Sequence, residues 1–237
     1  MNYELIKTHV MSMAGDISVS FSINGNYADI DSDSYRLMPW RYDRNMNSLH
    51  YLSVEAKSLD KLCSYKATVV ESKDADINEI LYREFDLCQW LTDDKIVSIY
   101  ALSNTDKALS LILKTSKDIL CSINLATTLS DETTPIIKHE ITGKEGMISD
   151  RCINEHIPSK DIYVFENTKK DPTTYIDIDL YVTGLSPEET YITENIVKLI
   201  DDKELRGATV KLDKNLTECV AGVTRSLETG DVVIMEV

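Results

Sequence analysis

Glycine and proline are scarce, at eight and five in 237 residues. That scarcity excludes collagen-like repeats and Pro/Gly-rich disorder, whose compositions bury too little apolar surface to offset the entropy of ordering the chain. Positive charge is also short. Lys and Arg number 25 against 40 Asp and Glu, a net charge of −15 with an isoelectric point near 4.7, and no Lys/Arg-rich run interrupts the acidic balance. Nucleic acid and anionic membrane surfaces are bound through basic faces that release counterions, so neither is expected as a partner. Nowhere do about 18 apolar residues run together. The N-terminal Met1-Asn2-Tyr3-Glu4-Leu5-Ile6-Lys7-Thr8-His9 carries charge where a secretory signal requires a continuous apolar stretch. These absences predict a soluble, cytoplasmic protein. The five cysteines, at 63, 88, 121, 152 and 219, are odd in number, widely spaced and often flanked by apolar residues; reduced, buried thiols are expected rather than a disulfide framework.

Motifs for the commoner chemistries are missing too. There is no Gly-x-Gly-x-x-Gly after a strand and no Gly-x-x-x-x-Gly-Lys-Ser/Thr, so no phosphate cradle for a dinucleotide or nucleoside triphosphate is evident. Gly143-Lys144-Glu145-Gly146 has the wrong spacing and reads as a turn between strands. Of the four histidines, only His156 stands near another metal ligand, Cys152, and no second pair completes a tetrahedral set. His139 and the others read as structural or surface residues. Asp29-Ile-Asp31-Ser-Asp33-Ser34 starts like a calcium loop but has Ser34 at the sixth position and Trp40 at the twelfth, where Gly and Glu belong. No cofactor or metal is expected from these patterns.

What is present is a chain able to build a core, with 43% hydrophobic and 27% charged residues. Period-two alternation marks strands at Ile17–Ile23 and Tyr175–Tyr181, and further strand candidates are Leu49–Val54, Ala67–Val70, Ile96–Leu102, Ala108–Leu113, Ile119–Ala126, Ile136–Ile141, Ile162–Phe165 and Val232–Met235. Three segments switch to the helical period. One runs from Ile77 to Leu91 behind an Asp74 or Asp76 cap. Another starts at the capping box Ser186-Pro187-Glu188-Glu189 and continues through Ile192, Ile196, Leu199 and Ile200. The third, from about Leu212 to Leu227, ends at Thr229-Gly230. Many adjacent strands with few intervening helices predict an α+β fold, mainly antiparallel rather than doubly wound and parallel.

From Ala75 to about Ile234 the order of features is distinctive: Glu79-x-x-x-Arg83-x-x-Asp86-x-x-x-Trp90-Leu91, a strand pair, His139-Glu-Ile-Thr-Gly-Lys-Glu-Gly146-Met-Ile-Ser-Asp150-Arg151, Pro158-Ser-Lys-Asp-Ile-Tyr163-Val-Phe165, then a terminal helix entering a Gly-x-Val-Val strand. This stretch, about two-thirds of the chain, resembles the C-terminal substrate-binding domain of the Gfo/Idh/MocA family of NAD(P)-dependent oxidoreductases, which act mostly on sugars and polyols. The resemblance implies a large open, mainly antiparallel mixed sheet with helices packed on one face, the other face often serving dimerisation, in a domain at 75–237 with a β-rich segment 1–74 packed on it. It also implies an N-terminal Rossmann domain and a Glu-Lys-Pro motif supplying a catalytic Lys, and residues 1–74 contain neither. With the family's Trp-Leu placed on Trp90-Leu91, its Gly-x-x-x-Asp-x-x-x-His motif falls on Ala75, Glu79 and Arg83, and all three positions differ. The family's His is the acid/base partner of the substrate hydroxyl; Arg83 keeps its proton at any physiological pH and cannot take that role.

The expectation that follows is a catalytically disabled relative of the substrate domain, acting as a ligand-binding or assembly module. The alternative is the substrate-binding subunit of an oxidoreductase whose dinucleotide domain lies on a separate chain. Glu79, Arg83 and Trp90 are the candidate ligand-binding residues, because the family's cleft lies beside this helix; the Arg83 fork would favour an anionic group on a carbohydrate-like ligand. The bland role for Arg83 is an ion pair with Glu79 one turn earlier. A homodimer or a paralogous oxidoreductase chain is the expected partner.

Overall fold

The computed structural model describes residues 2–15, 20–130, 133–150, 162–166, 173–175 and 185–235. In chain order the elements are helix α1 (Tyr3–Met13), strands β1 (Phe21–Asn24), β2 (Tyr27–Ile30) and β3 (Asp33–Arg36), helix α2 (Arg44–His50), β4 (Leu62–Ser72), α3 (Ile77–Thr92), β5 (Ile96–Thr105), β6 (Ala108–Thr115), β7 (Leu120–Leu129), β8 (Ile136–Gly143), β9 (Gly146–Ser149), β10 (Ile162–Glu166), β11 (Thr173–Tyr175), α4 (Pro187–Asp201), α5 (Lys203–Thr229) and β12 (Val233–Ile234). They form two compact units, one of Met1–Asn47 with Ile178–Asn215 and one of Ser48–Asp177 with Leu216–Val237. Residues 48–74 thus belong with the second unit. Among the described residues no helix is long and apolar enough to cross a membrane.

The second unit is built on a nine-stranded sheet of order β11-β10-β9-β8-β4-β7-β6-β5-β12. Only β4 and β7 run parallel; the other pairs are antiparallel. The fold is α+β, as the order of strand and helix patterns predicts. The ladder registers place Ile99, Leu113, Cys121, Tyr65, Ile141 and Ile148 in one row across the sheet, and every one is buried. Helix α3 lies on this face, where Phe85, Cys88 and Leu91 are fully buried. The C-terminal half of α5 joins it there. A Cβ at Gly222 would come within 3.2 Å of the Ile99 side chain, and the Ser226 hydroxyl accepts the Ala101 N–H at 3.0 Å. One residue along the ladders, Tyr100, Ile112, Ser122, Lys66 and Glu140 form the opposite, open face.

The first unit closes around Ile6 and Val10 of α1, Ala28 and Ile30 of β2, Leu37, and Ile192, Ile196 and Leu199 of α4. Helix α4 starts where the sequence signals it. Ser186 accepts the Glu189 N–H, and the Glu189 side chain returns to the Ser186 N–H, a complete capping box. Within the helix, buried Asn195 accepts the Met38 N–H at 2.7 Å.

Several local expectations change. Leu49–Val54 is helical rather than extended, comprising the end of α2 and a π-type turn over Tyr51–Glu55. The Asp43 carboxylate accepts the N–H groups of Asn45 and Met46 and starts the helix, and Leu49 and Leu52 are buried one turn apart. A capped start thereby overrides the β-like composition of His-Tyr-Leu-Ser-Val. Helix α5 begins nine residues ahead of Leu212, at Lys203, because Asp202 accepts the N–H groups of Glu204 and Leu205. Helix α1 and strands β2 and β3 form where the sequence patterns above mark no element. Gly143 and Gly146 close the β8–β9 hairpin, the turn their spacing suggests. Cys88, Cys121 and Cys219 are buried free thiols, whereas Cys63 is exposed; Cys152, His156 and most of Tyr175–Tyr181 lie outside the described residues.

Candidate functional site

Helix α3 carries all three residues singled out from the sequence. Asp76 caps it through the Asn78 N–H at 2.8 Å, and the helical repeat then sets Glu79, Arg83 and Trp90 along one side. Glu79 is half-buried. Trp90 is stacked on His50 of α2, ring centroids 4.4 Å apart and planes 12° from parallel, and His50 in turn lies 3.6 Å from Glu55. Arg83 is held from two directions. Its Nε donates to Glu84 Oε1 at 2.9 Å, and Nη1 and Nη2 donate to Glu71 Oε1 of β4 at 3.3 and 3.4 Å.

Glu84 carries the network inward. Its other oxygen, Oε2, receives His139 Nε2 of β8 at 3.1 Å, and His139 Nδ1 faces Asp150 Oδ2 at 2.6 Å. Asp150 sits just past β9 and closes a local loop, since its Oδ1 accepts the His139 N–H at 2.7 Å and its own N–H donates to the His139 carbonyl. Both imidazole nitrogens therefore face carboxylates, which only the doubly protonated ring can satisfy. Burial alone lowers the His139 pKa, but Asp150 and Glu84 outweigh it and carry the value up to about 10. Burial raises Glu84, and His139 and Arg83 outweigh that and hold it at about 2. Arg83 moves up, because Glu84 and Glu71 overcome its own desolvation. Tyr65, ring centroid 6.2 Å from that of His139, is raised by burial and by Glu84.

This chain of five charged groups joins α3 to β4, β8 and the end of β9. It is ill-suited to proton transfer. His139 has no nitrogen free for a ligand, both Glu84 oxygens are engaged, and the guanidinium keeps its proton. It is suited to locking the helix on the sheet with a fixed charge pattern. Glu71, Glu84, His139 and Asp150 were not singled out as a site by sequence, although His139 is in phase with Ile137 and Ile141 on an alternating strand and Glu84 falls between apolar Leu81 and Phe85. A charged residue in phase with core positions was the readable signal. Its partners, 55 and 11 residues away along the chain, were not. Among the described residues no group of His, Cys, Asp and Glu is arranged to hold a metal ion.

No family model matches the sequence, and no curated protein matches it either. Solved structures do match. An oxidoreductase from Agrobacterium radiobacter, crystallised with NAD+, L-tartaric acid and magnesium, superposes with a TM-score of 0.68 at 10% identity, over 83% of this chain and 63% of its own. Myo-inositol 2-dehydrogenase from Lactobacillus plantarum gives 0.60 at 15% identity, over 84% and 64%. Levoglucosan dehydrogenase in complex with NADH gives 0.63 at 12% identity, over 84% and 65%. The chain spans slightly under two-thirds of the length of these proteins, and at such low identity the likeness concerns fold alone. The protein therefore shares the fold of oxidoreductases of the Gfo/Idh/MocA type.

Proposed function

We propose that this chain is a Gfo/Idh/MocA substrate-domain relative in which the acid/base position has become part of a structural ion-pair network, leaving a ligand-binding or assembly module rather than a catalyst. The observation that carries this reading is the anchoring of Arg83 by Glu71 and Glu84. The resemblance sets the family's acid/base His at this position, and here a permanently protonated group is tied to two carboxylates. Dehydrogenation of an alcohol needs a base for the hydroxyl proton while hydride leaves, and no group in this network is free to serve. Glu79 and Trp90 flank Arg83 on the same helix and are the side chains a small carbohydrate-like ligand would meet. Assembly would use the open face of the large sheet, against a second copy or a paralogous oxidoreductase chain.

The test is direct. The purified chain, given NAD+ or NADP+ and a panel of polyols including myo-inositol, is expected to form no reduced cofactor and to show no saturable cofactor binding by calorimetry. Cofactor reduction that co-purifies with the chain and disappears in Arg83→Ala overturns the proposal. A second reading, favoured by the nucleotide complexes among the structural neighbours, is a substrate-binding chain that works with a dinucleotide domain on another polypeptide. Activity that emerges only on adding a purified NAD-binding oxidoreductase partner would select it.

A further inference from the structure

A pocket of about 570 Å³ opens between β3 and the first turns of α5, within the first unit and on different elements from the Arg83 network. That volume falls in the range of small-molecule sites. In a chain of net charge −15 two of its lining residues are cationic, Lys203 and Arg206. Arg206 is a fixed, desolvated cation. It is 8% exposed, its Nε and Nη2 are taken by the carbonyls of Leu199 and Ile200 at the end of α4, and its guanidinium lies 5.9 Å from the centre of the Tyr35 ring. Its third nitrogen, Nη1, faces Asp31, which is more than half exposed, at 3.5 Å. Lys203 is exposed, and among the described residues no carboxylate lies within ion-pair distance of it.

The facing wall supplies polar groups. Leu37 N–H bonds to the Asn26 carbonyl, so along the β2–β3 ladder the hydrogen-bonded pairs are 37/26, 35/28 and 33/30. Alternation then turns the N–H and C=O of Ser34 away from β2, to the outer edge of the sheet. Asp33 stands beside it. Between the two walls α5 presents Gly207, where an added Cβ would meet nothing within 4 Å, and Val210, which is 53% exposed. Glycine within a helix is unfavourable by about 1 kcal/mol relative to alanine, and at Gly207 no neighbour among the described residues crowds the Cβ position. An unfilled helix surface opposite a polar strand edge is what close approach of a ligand needs.

We propose that this pocket binds a small monocarboxylate bearing a hydroxyl or ammonium group. The carboxylate is held by Lys203 beside the positive field of Arg206, the hydroxyl or ammonium by Ser34 and Asp33, and the carbon skeleton lies over Gly207 and Val210. A single negative charge is favoured over a phosphate dianion, because the lining holds two cations, Lys203 and Arg206, against one carboxylate, Asp33, an excess of one positive charge. The experiment titrates the whole chain with glycerate, L-serine and inorganic phosphate, followed by nuclear magnetic resonance and thermal shift. Saturable binding of glycerate or serine in the millimolar range is expected, weakened about tenfold or more in Lys203→Ala and abolished in Gly207→Leu, whose side chain fills the pocket from a position free of contacts. Neither variant should melt below the parent. Absence of saturable carboxylate binding, binding unchanged in both variants, or phosphate bound more tightly than glycerate overturns the proposal. No dinucleotide enters this test, so its failure leaves the reading of Arg83 untouched.

Discussion

Glu84 has no solvent to stabilise its charge and relies on the two cations that clasp it. With Arg83 on one oxygen and His139 on the other, replacement by Gln removes the charge and leaves both cations short of a partner. Breaking a buried pair in this way costs about 3–5 kcal/mol. Glu84→Gln is expected to lower stability by that order in urea unfolding, and a cycle with His139→Gln should show strong coupling; additive losses would mean that the groups act independently. The same network sets the pH response. The folded-state pKa of His139 is raised from 6.5 to about 10, so its contribution is complete below 6.5 and is lost as pH rises through about 10. Glu84 is lowered from 4.5 to about 2, so its contribution is complete above 4.5 and is lost as pH falls through about 2. Thermal melts should therefore show this network strongest between pH 4.5 and 6.5, with a decline towards pH 10 that is absent from a His139→Gln/Asp150→Asn variant.

At the scale of elements, the β8–β9 hairpin shows how a turn legible in sequence hides its own reason. The spacing of Gly143 and Gly146 predicts a connection between strands, and the two pair across the hairpin. Gly143 is required for a different cause. A Cβ there would stand 2.6 Å from Leu59 Cβ, 2.7 Å from the Leu59 carbonyl and 2.8 Å from the Lys61 carbonyl. Two of those three atoms are backbone and cannot swing aside, so Gly143→Ala is expected to destabilise by about 1–3 kcal/mol through overpacking. Gly222 makes the useful contrast, because its neighbours are the flexible ends of Met235 and Ile99 at 3.1 and 3.2 Å and alanine is the better helix former. Urea unfolding of the two variants should show a clear loss for the first and little change for the second. Equal effects would show that the loop at Leu59 yields as easily as a side chain.

For the whole molecule, the uneven use of the sheet's two faces sets the expectation. One face is covered by α3 and α5; the other leaves Leu102, Ile112, Leu120 and Ile136 more than 40% exposed amid the Lys66–Glu140 and Lys138–Glu140 pairs. Large apolar residues gathered on one surface are the mark of an interface. Light scattering is expected to give about twice the 26.8 kDa of a single chain, and Ile112→Lys, in the middle of the face on β6, should return the mass to that of the monomer. A parent chain that scatters as a monomer at micromolar concentration removes self-association from the proposed function.

The sequence by itself determined what depends on neighbours along the chain. Alternation in Ala108–Leu113 and Ile119–Ala126 marks strands with one buried face, the Ser186 capping box marks the start of α4, and the order of strands and helices yields the α+β class; all are short-range patterns with a direct physical cause. The tertiary structure decided what depends on residues far apart. Leu49–Val54 is helical because Asp43 caps its helix and its leucines reach the core. Arg83 is anchored by Glu71, twelve residues earlier on another element, and His139 is charged because α3 brings Glu84 to one nitrogen while the end of β9 brings Asp150 to the other. A side chain's charge state and partners follow from the desolvation and fields of groups that folding brings together, and no local pattern contains that information.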